Sequence, residues 1–468
     1  MIKLSHLKNC PSLKSVPKEL DLNRSLSFCT DTRKYTYPSV FVGIPGVKIN
    51  PLDVIDKLLI EGCPIVVYQQ DAENDAKTKV LASKFQQTTF LPVSDSVSFL
   101  QELSHEHIKD WKAENPKNTV FAISGSNGKT THKEILSFIL KSVMPNKIIS
   151  TEKNNNNHLG VPLTLLNVTS ETEFVVLELG SNHPGEIKVL CNIAQPNAGL
   201  TTNIGATHLE FFGSEEKVFE EEGYLYYAVK SVTQGKGFFL INKDDQFLKN
   251  FSATAGSVTY GESKEADAKI TFPENDVRIT YQGQEITGHN SYITGKHNKL
   301  NLITCLFIAN HFYPHLQKEF IVNAKEFRPT KNRSEWIKFE NKSVYLDAYN
   351  ANPSSMKAAL EGFKASMIDQ GFKLNDACIV LGDMNELGDL APQYHQDVGS
   401  FTKKLGFENV YFVGRYAPYY LKGFDQGKSR SSSAEFKNEY RSECIKKFSI
   451  HFIKGSRSLQ LESLFDIS

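Results

Sequence analysis

Short apolar runs alternate with segments of helical spacing along most of the chain. Residues 25–110 read as short β/α units. SVFVGI (39–44) and CPIVVY (63–68) predict strands, and DVIDKLLIEG (53–62) between them has helical spacing closed by a glycine. The polar stretch SHEHIKDWKAENPKN (104–118) ends in a proline-containing turn and marks a first boundary. Beyond it TVFAIS (119–124), FVVLELG (174–180), NAGLTTNIG (197–205) and GFFLIN (237–242) predict buried strands. THKEILSFILKSV (131–143) and NKLNLITCLFIANHF (298–312) predict helices. The polar, β-rich stretch 252–290 reads as an insertion or a small sheet. From Pro329 onward SVYLDAYN (343–350), ACIVLGDM (377–384), NVYFVG (409–414) and SIHFIKGS (449–456) predict four strands separated by helices, as in a small Rossmann-like sheet. DQGKSRSSSAEFKNE (425–439) reads as a polar loop opening into a helix. The alternation predicts an α/β protein with parallel sheets, in units spanning 1–115, 116–328 and 329–468.

Composition narrows the partners. Lys+Arg and Asp+Glu both number 53, so no net charge draws the chain to nucleic acid or anionic lipid. No run approaches the ~18 apolar residues of a membrane span. The first residues lack the apolar core of a signal peptide. The 7 cysteines are scattered and form no C-x-x-C pair, which fits reduced thiols. A cytoplasmic protein without nucleic-acid or membrane partners is expected.

The strongest local chemistry is ISGSNGKTTH (123–132), set between a predicted strand and a predicted helix. Gly125 and Gly128 allow the tight turn that aims backbone N–H groups at phosphate, and the helix N-terminus adds partial positive charge. Lys129 supplies a point charge for β/γ phosphates, and Thr130 a hydroxyl for Mg²⁺. The spacing G-x-x-G-K-T-T is shorter than the common phosphate loop. Glu178 and His208 follow other predicted strands, where α/β sites sit. Alone, Glu178 is as readily a surface charge, and a lone histidine is more often structural. Beside a phosphate loop both point to a metal or phosphate role.

Taken in order, these segments resemble the Mur ligases over essentially the whole chain. GSNGKTT (125–131), covering Gly125, Ser126, Asn127, Gly128, Lys129, Thr130 and Thr131, is similar to the family's ATP loop. NNNNHLGVPLTLL (154–166), VVLELGSNHPGEI (175–187), TNIGATHLEFFGS (202–214), GKHNKLN (295–301), LDAYNANPSSMKAAL (346–360), LGDMNELG (381–388) and KGSRSLQLE (454–462) resemble the branch that adds D-alanyl-D-alanine to a UDP-linked muramoyl tripeptide. The resemblance implies a three-domain Mur ligase architecture: a UDP-substrate domain, a central phosphate-loop ATPase domain on a parallel sheet, and a mobile Rossmann-like C-terminal domain for the incoming dipeptide. It implies ATP and Mg²⁺ as cofactors, small-molecule substrates, a monomer, and an acyl-phosphate route to the amide. It assigns Lys129 to the phosphates and Thr130, Glu178 and His208 to magnesium. Asn154, Asn156 and Asn157 would line the acyl-phosphate and substrate site, with Asn182 and His183 approaching it. Asn298 and Asn301 would meet adenine, and Asp31, Thr32 and Arg33 the uridine diphosphate. Arg333 would reach the γ-phosphate, with Asp347, Tyr349, Asn350 and Asn352 bordering ATP and dipeptide.

One position departs from the pattern. Where the resemblance implies a lysine carbamylated by carbon dioxide, GSEEKVFEEEGYLYYAV (213–229) places Glu222. A glutamate keeps a carboxylate there with a reach shorter by about 4 Å, so Glu222 is expected among the metal ligands. Lys217, five residues earlier, stands about 140° off that helical face. The plain alternative for the EEE run is a solvated acidic face. Two other functional readings stay open: a related ligase with a different acid and amine, and a nucleotide-binding homologue without ligation.

Overall fold

The computed structural model describes residues 1–274 and 276–465. Asn275, within the β-rich stretch, and residues 466–468, at the end of the third expected unit, lie outside the described residues. Three sheets carry the fold. In the first, Ile2–Lys3 runs antiparallel to Ser25–Cys29, followed by parallel Ser39–Gly43, Ile65–Gln69 and Thr89–Val93. Its core includes Val40, Val42, Val67 and Leu91, covered by Phe99, Leu100 and Leu103 of the helix Ser96–Glu114. The segment expected to be a polar boundary is the second half of that helix. Ile108 and Trp111 on it pack into the core of the next unit. Its polar look reflects an amphipathic face shared between two cores.

The central sheet has nine strands, with Thr119–Ser124 between Ala198–Thr201 and Phe174–Glu178. Thr119–Ser124 is buried on both faces, so it reads as a continuous apolar run. Phe121 and Ile123 belong to one core with Ile135, Leu136 and Ile139 of the helix Lys129–Lys141 and Leu302 and Leu306 of the helix Lys296–Phe312. Val120 and Ala122 belong to the core on the other face with Ile187, Leu190 and Leu225. The stretch 252–290 forms no small sheet of its own but extends the central one. Ser257–Gly261 and Ala268–Thr271 continue the central sheet in parallel, and the hairpin Val277–Tyr281 and Gln284–Gly288 closes its edge. Ile270, Val277, Ile279 and Ile286 turn inward to the same core. One-sided burial leaves alternate positions polar, which hid the continuity.

The third sheet runs Glu335–Phe339, Lys342–Asp347, Ile450–Lys454, Ala377–Gly382, Val410–Val413 and Lys428–Arg430, parallel except for the first pair. Two strands lie beyond the four expected. Glu335–Phe339 is an antiparallel edge, and Lys428–Arg430 forms inside the expected polar loop, ahead of the helix Ser433–Glu439. All seven cysteines are free thiols. Among the described residues no helix is long and apolar enough to cross a membrane.

Candidate active site

The site grows from the ends of the central strands. Thr119–Ser124 feeds the loop 125–128, and the helix Lys129–Lys141 starts where Gly128 turns left-handed at φ +81°. Gly125 has φ +115°, and a Cβ there would meet Thr202 N at 2.8 Å. Only glycine fits that close approach between neighbouring strand ends. Asn203 holds the loop from the next strand, its Oδ1 accepting Asn127 N at 3.1 Å.

Glu178 ends the neighbouring strand. Its Oε1 accepts from Thr130 Oγ1 and Asn156 Nδ2, both at 2.9 Å. Its Oε2 is buried without a hydrogen-bond partner among the described residues. Such an oxygen is costly unless a cation or donor meets it. The asparagine run serves structure as well. Asn157 Oδ1 accepts Gly160 N at 2.9 Å at the start of the helix Gly160–Leu165, and Gly180 N donates to Asn156 O at 2.9 Å. Asn182 and His183 lie in a loop whose amides donate to Glu186 Oε2 at 2.7 and 3.1 Å.

The third unit closes the other side. Asn352 caps the helix Pro353–Asp369, and its Nδ2 donates to Asn127 Oδ1 of the glycine loop at 2.6 Å. Asn127 Nδ2 in turn donates to Ser354 Oγ at 3.0 Å. Thus Asn352, expected beside ATP and dipeptide, is held by a cap and by the loop itself. Arg333 stacks on Tyr349, 3.8 Å from guanidinium to ring centroid. Glu386 Oε2 lies 2.6 Å from His208 Nδ1, and that contact, together with the nearby imidazole charge, holds the carboxyl below the usual range. Lys454, almost fully buried, donates to Asp347 Oδ2 at 2.6 Å and to Asn350 O at 3.0 Å.

These groups enclose one cavity of about 690 Å³. It gathers Ser126, Asn127, Gly128, Lys129, Thr130 and Thr131 with Asn154, Asn156, Asn157, Glu178, Asn182, His183 and His208. Asn298, Asn301, Arg333, Asp347, Tyr349, Asn350 and Asn352 also stand on its walls, whereas Gly125 lies behind them. Asp31, Thr32 and Arg33 are not among its lining residues. Asp31 caps a short helical turn on the first sheet, and hydrogen bonding to Arg33 lowers its carboxyl to about 2. Glu222 is not a wall residue either. Its Oε2 accepts Gly125 N at 2.7 Å, and its Oε1 lies 3.5 Å from Lys129 Nζ. Thus Glu222's oxygens meet the loop's own backbone and lysine, and they do not stand on the wall beside Thr130, Glu178 and His208.

Among the described residues no three His, Cys, Asp or Glu side chains form a metal cage. Magnesium needs none, since it is commonly held by one or two carboxylates, water and substrate phosphates. The unpartnered Glu178 Oε2 beside the Thr130 hydroxyl fits such an ion. Sequence reading missed Lys454, Glu386 and His297. His297 lines the same cavity, and burial pushes its imidazole down to about 4. A lone lysine closing the mostly apolar run SIHFIK was the available signal for Lys454.

Family models for the Mur ligase middle domain and the Mur ligase glutamate ligase domain match residues 123–309 and 332–446. The UDP-N-acetylmuramoyl-tripeptide–D-alanyl-D-alanine ligase of Rickettsia prowazekii (strain Madrid E) is 31% identical over 452 residues, covering 91% of each chain. The chain belongs to the Mur ligase family. The enzyme of the same name from Bacillus subtilis (strain 168) is 28% identical over 445 residues, covering 93% of this Mur ligase and 91% of the relative. In fold, the chain is similar to MurF from Acinetobacter baumannii, with a TM-score of 0.79 at 24% identity over 99% and 97% of the two chains. It is likewise similar to MurF ligase from Thermotoga maritima, solved with ADP, with a TM-score of 0.74 at 22% identity over 94% and 96%. As a Mur ligase, the protein is an ATP-dependent ligase.

Proposed function

We propose that this Mur ligase joins D-alanyl-D-alanine to a UDP-N-acetylmuramoyl tripeptide through an acyl phosphate. The observation that carries the reading is the shared cavity, in which a phosphate loop faces Arg333, Asp347 and Tyr349 of the third unit. A carboxylate oxygen of the tripeptide attacks the γ-phosphorus and ADP leaves. The amine then attacks the acyl carbon, loses a proton, and inorganic phosphate departs with the attacking oxygen. Lys129 and Arg333 offset the charge of the two repelling anions. The Asn127–Asn352 contact joins the two halves, and closure of the third unit on the loop would keep water from the acyl phosphate. Thr130 and Glu178, with His208 at the same wall, would hold Mg²⁺. That ion would supply charge neutralisation at the phosphates.

The same reading includes domain limits of 1–115, 116–328 and 329–468, a cytoplasmic location, and a monomer. Asp31, Thr32 and Arg33 are assigned to the uridine-diphosphate end of the substrate. The test is a reconstitution with ATP, Mg²⁺, UDP-muramoyl tripeptide and a panel of amines. Phosphate release and a product mass matching one added D-alanyl-D-alanine are expected only when all components are present. Equal product from a different dipeptide or from single amino acids contradicts the assigned amine.

A further inference from the structure

We infer that Glu222 is a positioning residue that holds Lys129 and the first amide of the phosphate loop, and so weakens nucleotide binding to a set level. The inference rests on reading residues 125–131 as the ATP loop. The EEE run is not a solvated face. Glu220 is exposed and pairs with Lys217, whereas Glu221 and Glu222 are buried. The two buried acids secure different loops. Glu221 accepts from Ser181 Oγ at 2.8 Å, Gly185 N at 2.6 Å and Ile187 N at 2.8 Å. Glu222 accepts Gly125 N at 2.7 Å and lies 3.5 Å from the Lys129 ammonium, which also donates to Gly125 O. Ser124 Oγ donates to the Glu222 backbone oxygen at 2.8 Å, fixing the end of the helix Glu215–Glu222 against the strand that bears the loop.

Gly125 N–H and the Lys129 ammonium are the kind of groups a phosphate loop turns toward phosphate oxygens. Here a built-in carboxylate takes both. A nucleotide must share Lys129 with Glu222, and the fixed negative charge repels each phosphate at short range in a site shielded from solvent. Glutamine keeps an oxygen for Gly125 N–H and removes the charge. Aspartate keeps the charge but draws it back from Lys129 by one methylene.

The test is calorimetric titration of the full chain with a non-hydrolysable ATP analogue, first in EDTA and then in Mg²⁺. Glu222→Gln is expected to bind the analogue about tenfold more tightly than the parent in EDTA, with a lower KM for ATP. Glu222→Asp is expected to fall between the two, and it decides the matter if the glutamine variant does not fold. Equal or weaker binding by the folded variants in EDTA overturns the inference. Tighter binding in EDTA that turns into a raised Mg²⁺ requirement also overturns it, in favour of a cation-ligand role. If neither parent nor variants bind the analogue, the ATP-loop reading itself falls, and the inference with it.

Discussion

Lys129→Ala is expected to lower ligase turnover by at least ~10²-fold, the scale of losing one preorganised electrostatic donor in a closed site. Lys129 starts the helix Lys129–Lys141 and lines the cavity between the glycine loop and the third unit. Alanine is a good helix former, so the backbone is retained. The substitution has a second consequence. Glu222, 2% exposed, loses its ion-pair partner and keeps only Gly125 N–H. Breaking one side of a buried pair costs more than the pair is worth. Lys129→Ala is therefore expected to melt earlier than the parent, while Lys129→Ala with Glu222→Gln regains stability but not turnover. Phosphate-release rates and thermal melts on the two variants separate these effects. Near-parent turnover in Lys129→Ala contradicts the phosphate assignment.

Lys454→Met is expected to destabilise the third unit by about 3 kcal/mol or more, the range for stranding one member of a buried ion pair. Lys454 ends the fully buried strand Ile450–Lys454, its side chain 3% exposed, and it joins Asp347 to Asn350 O. Both residues lie at the ends of adjacent parallel strands, paired in register. Methionine fills similar volume but leaves the Asp347 carboxylate without its cation. Because Asp347 faces the cavity, turnover falls along with stability. The measurement is urea unfolding followed by fluorescence, to which Trp336 contributes from its stack against Phe363 in the same unit. Adding Asp347→Asn to Lys454→Met is expected to recover most of the stability and none of the turnover. No loss of stability in Lys454→Met contradicts the buried-pair account.

Much of this architecture was legible because its buried strands are short, mostly apolar runs such as Phe174–Glu178 and Phe238–Asn242. The loop 125–128 could be read from its residues, since each glycine has a local conformational reason. What escaped depends on distant pairing. The stretch 257–288 looked separate because its alternate residues face water, yet its inward residues share the core of Thr119–Ser124. The clasp between Asn127 and Asn352 joins positions 225 residues apart, and neither asparagine announces a partner. Glu222 is another case, its contacts with the glycine loop set by the fold. Its neighbours in sequence show a helix end, but only the fold shows Gly125 N–H and Lys129 within its reach. Lys454 was hidden for the same reason, as Asp347 lies 107 residues away.

The acyl-phosphate route fixes the fate of one oxygen. UDP-muramoyl tripeptide labelled with oxygen-18 in its terminal carboxylate is incubated with the protein, ATP, Mg²⁺ and D-alanyl-D-alanine, and the released phosphate is weighed by mass spectrometry. An acyl phosphate transfers one labelled oxygen to the inorganic phosphate and leaves the other in the new amide, so singly labelled phosphate is expected in step with product. Product formed with unlabelled phosphate contradicts the acyl-phosphate route, and with it the roles assigned to Lys129, Arg333 and the shared cavity.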